Sequence, residues 1–150
     1  MFKNISMKFY ILIFFIFLGL SSNAQKKEVQ KTIELFFEGF HKKDSTIIKS
    51  VCSDKMILQS ISENNIKGNK LSDESEKEFY KSIASIPLSI KFQEKILSYS
   101  IQIDGSMAHV WTPYEFYIND KLSHSGVNAF TLFKEKETWK VIYLIDTRRK

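Results

Sequence analysis

Few residues in this chain are placed to do chemistry. The stretch SHSGVNAF, Ser123 to Phe130, sets a histidine four residues before an asparagine, and VWTPYEFYIND just ahead of it holds Glu115 among aromatics. A carboxylate beside His124 would orient and charge the imidazole and raise its pKa, making it an acid-base or ligand-gripping group. With an apolar, carbonyl-bearing substrate such a pair would move a proton, as in a cofactor-independent isomerase or lyase. The plainer alternative is a cross-strand pair that satisfies itself, with Asn128 a partnered core amide and Trp111 and Phe130 ordinary core. The three histidines, His41, His109 and His124, show no metal-ligand spacing, so no metal is expected. Cys52 is the only cysteine, which forbids an internal disulfide; without a basic partner it reads as a small buried hydrophobe and not a nucleophile.

Whether these groups meet depends on one hairpin. If Asn119 and Asp120 form a two-residue turn, Ile118 faces Lys121 and each outward step fixes the next pair: Glu115 with His124, Pro113 with Gly126, Trp111 with Asn128, His109 with Phe130. One face then collects Trp111, Glu115, His124, Asn128 and Phe130, an apolar set with a few polar groups, as ligand pockets have. These are the candidate ligand-binding residues, with His124 and Glu115 the candidates for catalysis. Pro113 is the weak point, because proline sits at edges or bulges, and a bulge there would turn Glu115 away from the face of Trp111. Gly126 leaves room between His124 and Asn128 or permits a bend. Asp146 and Arg148 alternate onto one face of the last strand, inward or outward.

The elements that must position these residues are legible in the pattern. Val29, Ile33, Phe36, Phe37 and Phe40 recur at three- and four-residue steps, which predicts an amphipathic helix over Glu28 to Lys43. Asp44 and Ser45 read as the cap of a short helix, DSTIIKSVC, followed by a strand, MILQSIS, and a loop, ENNIKGNK. SDESEKEFYKSIAS, with a capping serine, early acids and Phe79, Ile83 and Ile86, predicts a third helix stopped by Pro87. Beyond it, Ile90 to about Ser100, Met107 to Ile118, Leu122 to Phe133 and Trp139 to Ile145 are rich in β-branched and aromatic residues and read as strands. Helices first and an antiparallel meander afterwards make an α+β domain.

The 150 residues suit one domain with a sizeable core. Residues 1–24 are set apart: Lys3 and Lys8, an apolar run from Phe9 to Leu20, and the small residues Ser22 and Ala24 match a secretory signal peptide cut after Ala24. The apolar run is short of the ~20 residues a membrane-crossing helix needs, so no membrane span is expected after cleavage. The expectation is an exported protein, periplasmic or secreted, with residues 25–150 as its single domain. Cleavage would remove two lysines from a net charge of +5. The one dense basic cluster, Arg148 to Lys150, is too short for a nucleic-acid groove.

VWTPYEFYIND, SHSGVNAFTLF and WKVIYLIDTRR resemble the closing strands of the nuclear transport factor 2-like superfamily, in the branch labelled lumazine-binding. The likeness begins at EVQKTIELFFEGFHKKD and so covers nearly all of the chain after the leader. Trp111, Pro113, Tyr114, His124, Gly126, Phe130, Thr147, Arg148 and Arg149 match the branch's recurrent pattern, whereas Ser125 and Asn128 replace a cysteine and an aspartate. An amide cannot act as a general base, which counts against a proton shuttle at Asn128. The resemblance implies a cystatin-like, cone-shaped fold, a curved antiparallel sheet wrapped around the amino-terminal helices, with an apolar pocket and a homodimer through the sheet. It implies a small apolar or aromatic ligand and no cofactor or metal. Binding is the expectation; an acid-base enzyme of ketosteroid-isomerase or dehydratase type, using His124 supported by Glu115, is its rival. An interaction module built on the face of Tyr114 and Phe116 is a third class.

Overall fold

The computed structural model describes residues 7–64, 66 and 68–149, with side chains from residue 23 onward. Of the leader expected over residues 1–24, residues 1–6 lie outside the described residues, and the backbone of the rest prolongs the first helix. Among the described residues no helix is long and apolar enough to cross a membrane.

Helix α1 (Met7–Lys42) lays Val29, Ile33, Phe36 and Phe37 into the core, as the three- and four-residue spacing requires. It ends at Lys43, whose φ of +58° is left-handed, with the Asp44 amide donating to Gly39 O at 2.9 Å. Lys43 Nζ also donates to Pro87 O and Ile90 O, at 2.6 and 2.8 Å, tying the helix end to the loop before the sheet. A Cβ on Gly39 would lie 2.9 Å from the Ile48 backbone nitrogen, so α2 (Ser45–Val51) packs directly on α1 there. Asp44 caps α2 by accepting from Thr46 N and Ile47 N.

The sheet contains β1 (Cys52–Ser62), β2 (Lys70–Glu74), β3 (Phe92–Ile96), β4 (Ser100–Asp104), β5 (Met107–Ile118), β6 (Lys121–Glu135) and β7 (Thr138–Arg149). Its order is β2-β1-β7-β6-β5-β3, with β4 also on β5. The sheet is mixed and not wholly antiparallel, because β1 runs parallel to β7. Strands β2 to β6 lie between those two in the chain, so no tight turn imposes an antiparallel direction on them.

Two elements differ from expectation. The segment Lys70–Glu74, read as the end of a loop and, from Ser72, the start of the third helix, is instead an edge strand paired with Leu58–Ser62. Helix α3 (Glu76–Ala84) begins later, at a capping box in which Ser75 accepts from Glu78 N and donates to Glu78 Oε2. The stretch Ile90 to Ser100 is two strands, β3 and β4, which pair with successive halves of β5 and break at residues 97–99. Pro113 lies opposite that break. Its carbonyl accepts from Leu97 N at 2.9 Å, so the side on which proline lacks an N–H faces the break between β3 and β4. A proline inside β5 therefore costs no bulge.

The bulge is elsewhere. Asn119 and Asp120 form the expected two-residue turn, both at positive φ (49° and 63°), and Ile118 faces Lys121. Tyr117 then pairs with Leu122 and Phe116 with His124, leaving Ser123 as the extra residue on β6. Every pair beyond shifts by one: Glu115 faces Ser125, Tyr114 faces Gly126, Thr112 faces Asn128 and Val110 faces Phe130.

Candidate functional site

The shifted register sorts the inner face of the sheet into rows. One row is apolar: Val110, Phe130, Leu144 and Leu58 lie side by side across β5, β6, β7 and β1. Phe130 is fully buried and meets the rings of Phe36 and Phe37 edge-on at 5.6 and 5.9 Å, which seats α1 on the sheet. The next row is polar throughout: Thr112, Asn128, Asp146, Ser60 and Ser72. Beyond it come Tyr114, Gly126, Arg148 and Ser62. Between this face and the helices lies a cavity of about 320 Å³. The rings of Phe36, Phe37, Phe40 and Phe79 line one side, and the polar row with Glu74 and Glu94 lines the other.

Glu94 is the group sequence reasoning missed. It sits on β3 between Phe92 and Ile96, all in the same phase of the strand, so an acid occupies an inward position flanked by apolar ones. That alternation was the available signal. Its backbone amide donates to His41 Nε2 on α1 at 3.0 Å, and its Oε1 accepts from Asn128 Nδ2 at 2.6 Å. Burial pushes the carboxyl up to about 7, with nearby Asp146 adding to the rise; the Asn128 hydrogen bond and the Arg148 charge partly offset it. Burial likewise lowers His41, against a smaller raising effect of the bond from the Glu94 amide, so the imidazole is an uncharged acceptor.

Asp146 and Arg148, whose direction the pattern left open, both point inward. Arg148 Nε donates to Asp146 Oδ2 at 2.7 Å, and Tyr114 O–H approaches the same oxygen at 3.2 Å and Thr147 O at 2.9 Å. Burial holds the Tyr114 phenol well above its ordinary value, so it is a neutral donor. Burial would lower Arg148, but the Asp146 bond and charge outweigh it and the guanidinium stays firmly charged. Two polar atoms near this row, Ser60 Oγ and Thr112 Oγ1, are buried without a hydrogen-bond partner among the described residues. No three His, Cys, Asp or Glu side chains among those residues are grouped to hold a metal ion.

The expected pairing of Glu115 with His124 does not form. His124 shares the inner face with Phe116, on which its ring stacks at 4.8 Å, and meets Tyr114 edge-on at 5.9 Å. Glu115 lies on the opposite face, accepting from Tyr117 O–H at 2.8 Å beside Lys95 Nζ at 3.9 Å. The bulge at Ser123 is the cause. Trp111 likewise turns outward, 49% exposed, away from Asn128. Of the five candidate binding residues, Asn128 lines the cavity and Phe130 underlies it; Trp111, Glu115 and His124 are not among its walls. Tyr114 and Phe116, considered for an interaction face, belong to the inner face instead. The room at Gly126 is filled by Tyr114: a Cβ there would meet its ring at 2.8 Å and Thr147 O at 1.7 Å. Cys52 is buried, and that burial raises its thiol to about 12, which leaves it inert as a nucleophile.

A mixed sheet folded over helices has counterparts among solved structures. A nuclear transport factor 2-like protein of unknown function from Shewanella baltica matches with a TM-score of 0.62 at 18% identity, over 85% of this chain and 95% of its own. One from Cytophaga hutchinsonii matches at 0.67 and 14% identity, over 83% and 98%. The chain has the nuclear transport factor 2-like fold. A proposed dehydratase with this fold, from Streptomyces avermitilis, matches at 0.65 and 13% identity, over 86% and 99%. No protein-family model matches the sequence, and no curated protein does so significantly. Identity this low carries the nuclear transport factor 2-like architecture alone, and the site must be judged on its own residues.

Proposed function

We propose that residues 25–150 form an exported domain that binds a small, partly aromatic molecule in the cavity between α1, α3 and the inner sheet face. The observation that carries this reading is the cavity itself: about 320 Å³, walled by phenylalanines on one side and by the row Asn128, Asp146 and Ser60 on the other. An apolar hollow with a few convergent polar groups is how proteins hold and orient small ligands. The likeness of the closing strands to the lumazine-binding branch supports a binding role without specifying a pteridine. Homodimerisation through the outer sheet face is part of the same proposal.

A second reading has its own observation. A carboxyl raised to about 7, fixed by the Asn128 amide and facing the cavity, can take a proton from a carbon beside a carbonyl and return it elsewhere. In that reading Glu94 is the proton carrier and Tyr114 and Arg148 are nearby donors, giving a cofactor-independent isomerase or lyase. Native mass spectrometry of the protein isolated from its own cell envelope tests the main reading. The expected result is a polypeptide beginning at Gln25 and carrying a stoichiometric small molecule, which is lost when Leu144→Trp fills the cavity. A polypeptide retaining residues 1–24 would overturn the export, and a ligand still retained by the filled variant would overturn the site.

A further inference from the structure

We propose that the cavity selects a cationic ligand: a small aromatic molecule bearing an ammonium group, its ring among the phenylalanines and its charge between Glu94 and Asp146. This inference rests on the binding reading above and adds the charge of the ligand.

The balance of charge around the cavity points this way. Asp73, Glu74, Glu94 and Asp146 line it together with one cation, Arg148. Arg148 is engaged by Asp146 at 2.7 Å and is half exposed, so its charge is matched within the protein and directed partly to solvent. Glu94 has no cation bonded to it. The one hydrogen bond to its carboxyl among the described residues is from an uncharged amide, and His41, which meets its backbone, uses its ring nitrogen as an acceptor. An anionic ligand would add like charge beside carboxyls already short of solvation, and a neutral one would leave Glu94 with only the Asn128 hydrogen bond and the Arg148 charge to offset its burial. An ammonium group would compensate it. Ser60 Oγ, buried on the same wall and without a partner among the described residues, supplies a further acceptor. The opposite wall suits the ring: Phe36 and Phe79 stack nearly parallel, their centroids 6.2 Å apart, and offer aromatic surface to it.

Binding would then be coupled to protons. The groups facing Glu94 are Asp146 and Arg148 from β7, Tyr114 from β5, Asn128 from β6, Glu74 from β2 and His41 from α1. An added cation favours the ionised form of Glu94, so ligand binding expels its proton, and affinity rises as pH is raised through about 7.

Isothermal titration calorimetry with three probes of one shape tests the inference: tryptamine, its neutral counterpart tryptophol, and the anion indole-3-propionate. At pH 8 tryptamine is expected to bind roughly tenfold or more tightly than tryptophol, with indole-3-propionate weakest. Its affinity should fall about tenfold from pH 8 to pH 6, with proton release read from the dependence of the heat on buffer. Glu94→Gln, shown folded by circular dichroism, should erase both the preference and the pH dependence. Tryptophol or the anion binding as tightly as tryptamine in the unaltered protein would overturn the charge selection while leaving the cavity a binding site. If none of the three binds, the binding reading fails and the charge selection falls with it.

Discussion

At the scale of the residue, Glu94 is a carboxyl held in an environment that disfavours its charge. Its carboxyl has an ordinary value of 4.5 and rises to about 7 in the folded chain because it is buried. The native state therefore holds the proton more tightly than the unfolded one between those values. Stability from this group is complete below about 4.5 and is lost as pH climbs through about 7, a difference of about 3 kcal/mol by pH 8. Thermal melts of the ligand-free protein at pH 5 and pH 8 should show the loss, and Glu94→Gln should abolish it and melt several degrees higher at pH 8. An unchanged pH slope in the variant would mean that the carboxyl is better solvated than its position implies. Asn128 shows the complementary principle: an amide unable to act as a base still matters, because it holds the group that can.

At the scale of the element, the hairpin of β5 and β6 decides what the cavity contains. The turn at Asn119 and Asp120 follows from residues that tolerate positive φ, and Asn119 also exchanges hydrogen bonds with Lys91, tying the turn to the start of β3. The extra residue at Ser123 then moves Glu115 and Trp111 to the outside and brings Thr112 and Tyr114 to the inside. Tyr114 packs across its partner Gly126, an aromatic ring covering a glycine on the neighbouring strand. Gly126→Ala would press a methyl group into Thr147 O and the Tyr114 ring, and should destabilise the protein by about 2 to 3 kcal/mol in denaturant unfolding. An unaltered midpoint would show that β6 and β7 can separate there without consequence.

At the scale of the molecule, the sheet presents two faces of different character. The inner one meets α1 and the cavity. The outer one leaves Met107, Trp111 and Phe133 exposed by 53%, 49% and 47%, a grouping of large apolar side chains on neighbouring strands. Such a patch suits a second copy of the chain. Trp111→Glu should convert the expected dimer to a monomer in analytical ultracentrifugation while leaving ligand affinity unchanged, since Trp111 is not a wall of the cavity. Equal sedimentation of the two proteins as monomers would leave that face without the proposed partner.

The sequence by itself determined the class of fold and most of its parts. Apolar spacing marked α1, Asp44 marked the cap of α2, and alternating aromatic and β-branched residues marked β5, β6 and β7, because periodicity and capping are local properties of the chain. Tertiary structure alone decided the direction of β1, the strand at Lys70–Glu74 and the break between β3 and β4, since each depends on a neighbour distant in sequence. It also decided the site. A strand has a period of two, so a single bulged residue exchanges its faces, and no local pattern at Ser123 announces it. That one residue separates His124 from Glu115 and leaves the cavity to Glu94, Asn128, Asp146 and Arg148, drawn together from three strands by the closing of the sheet over its helices.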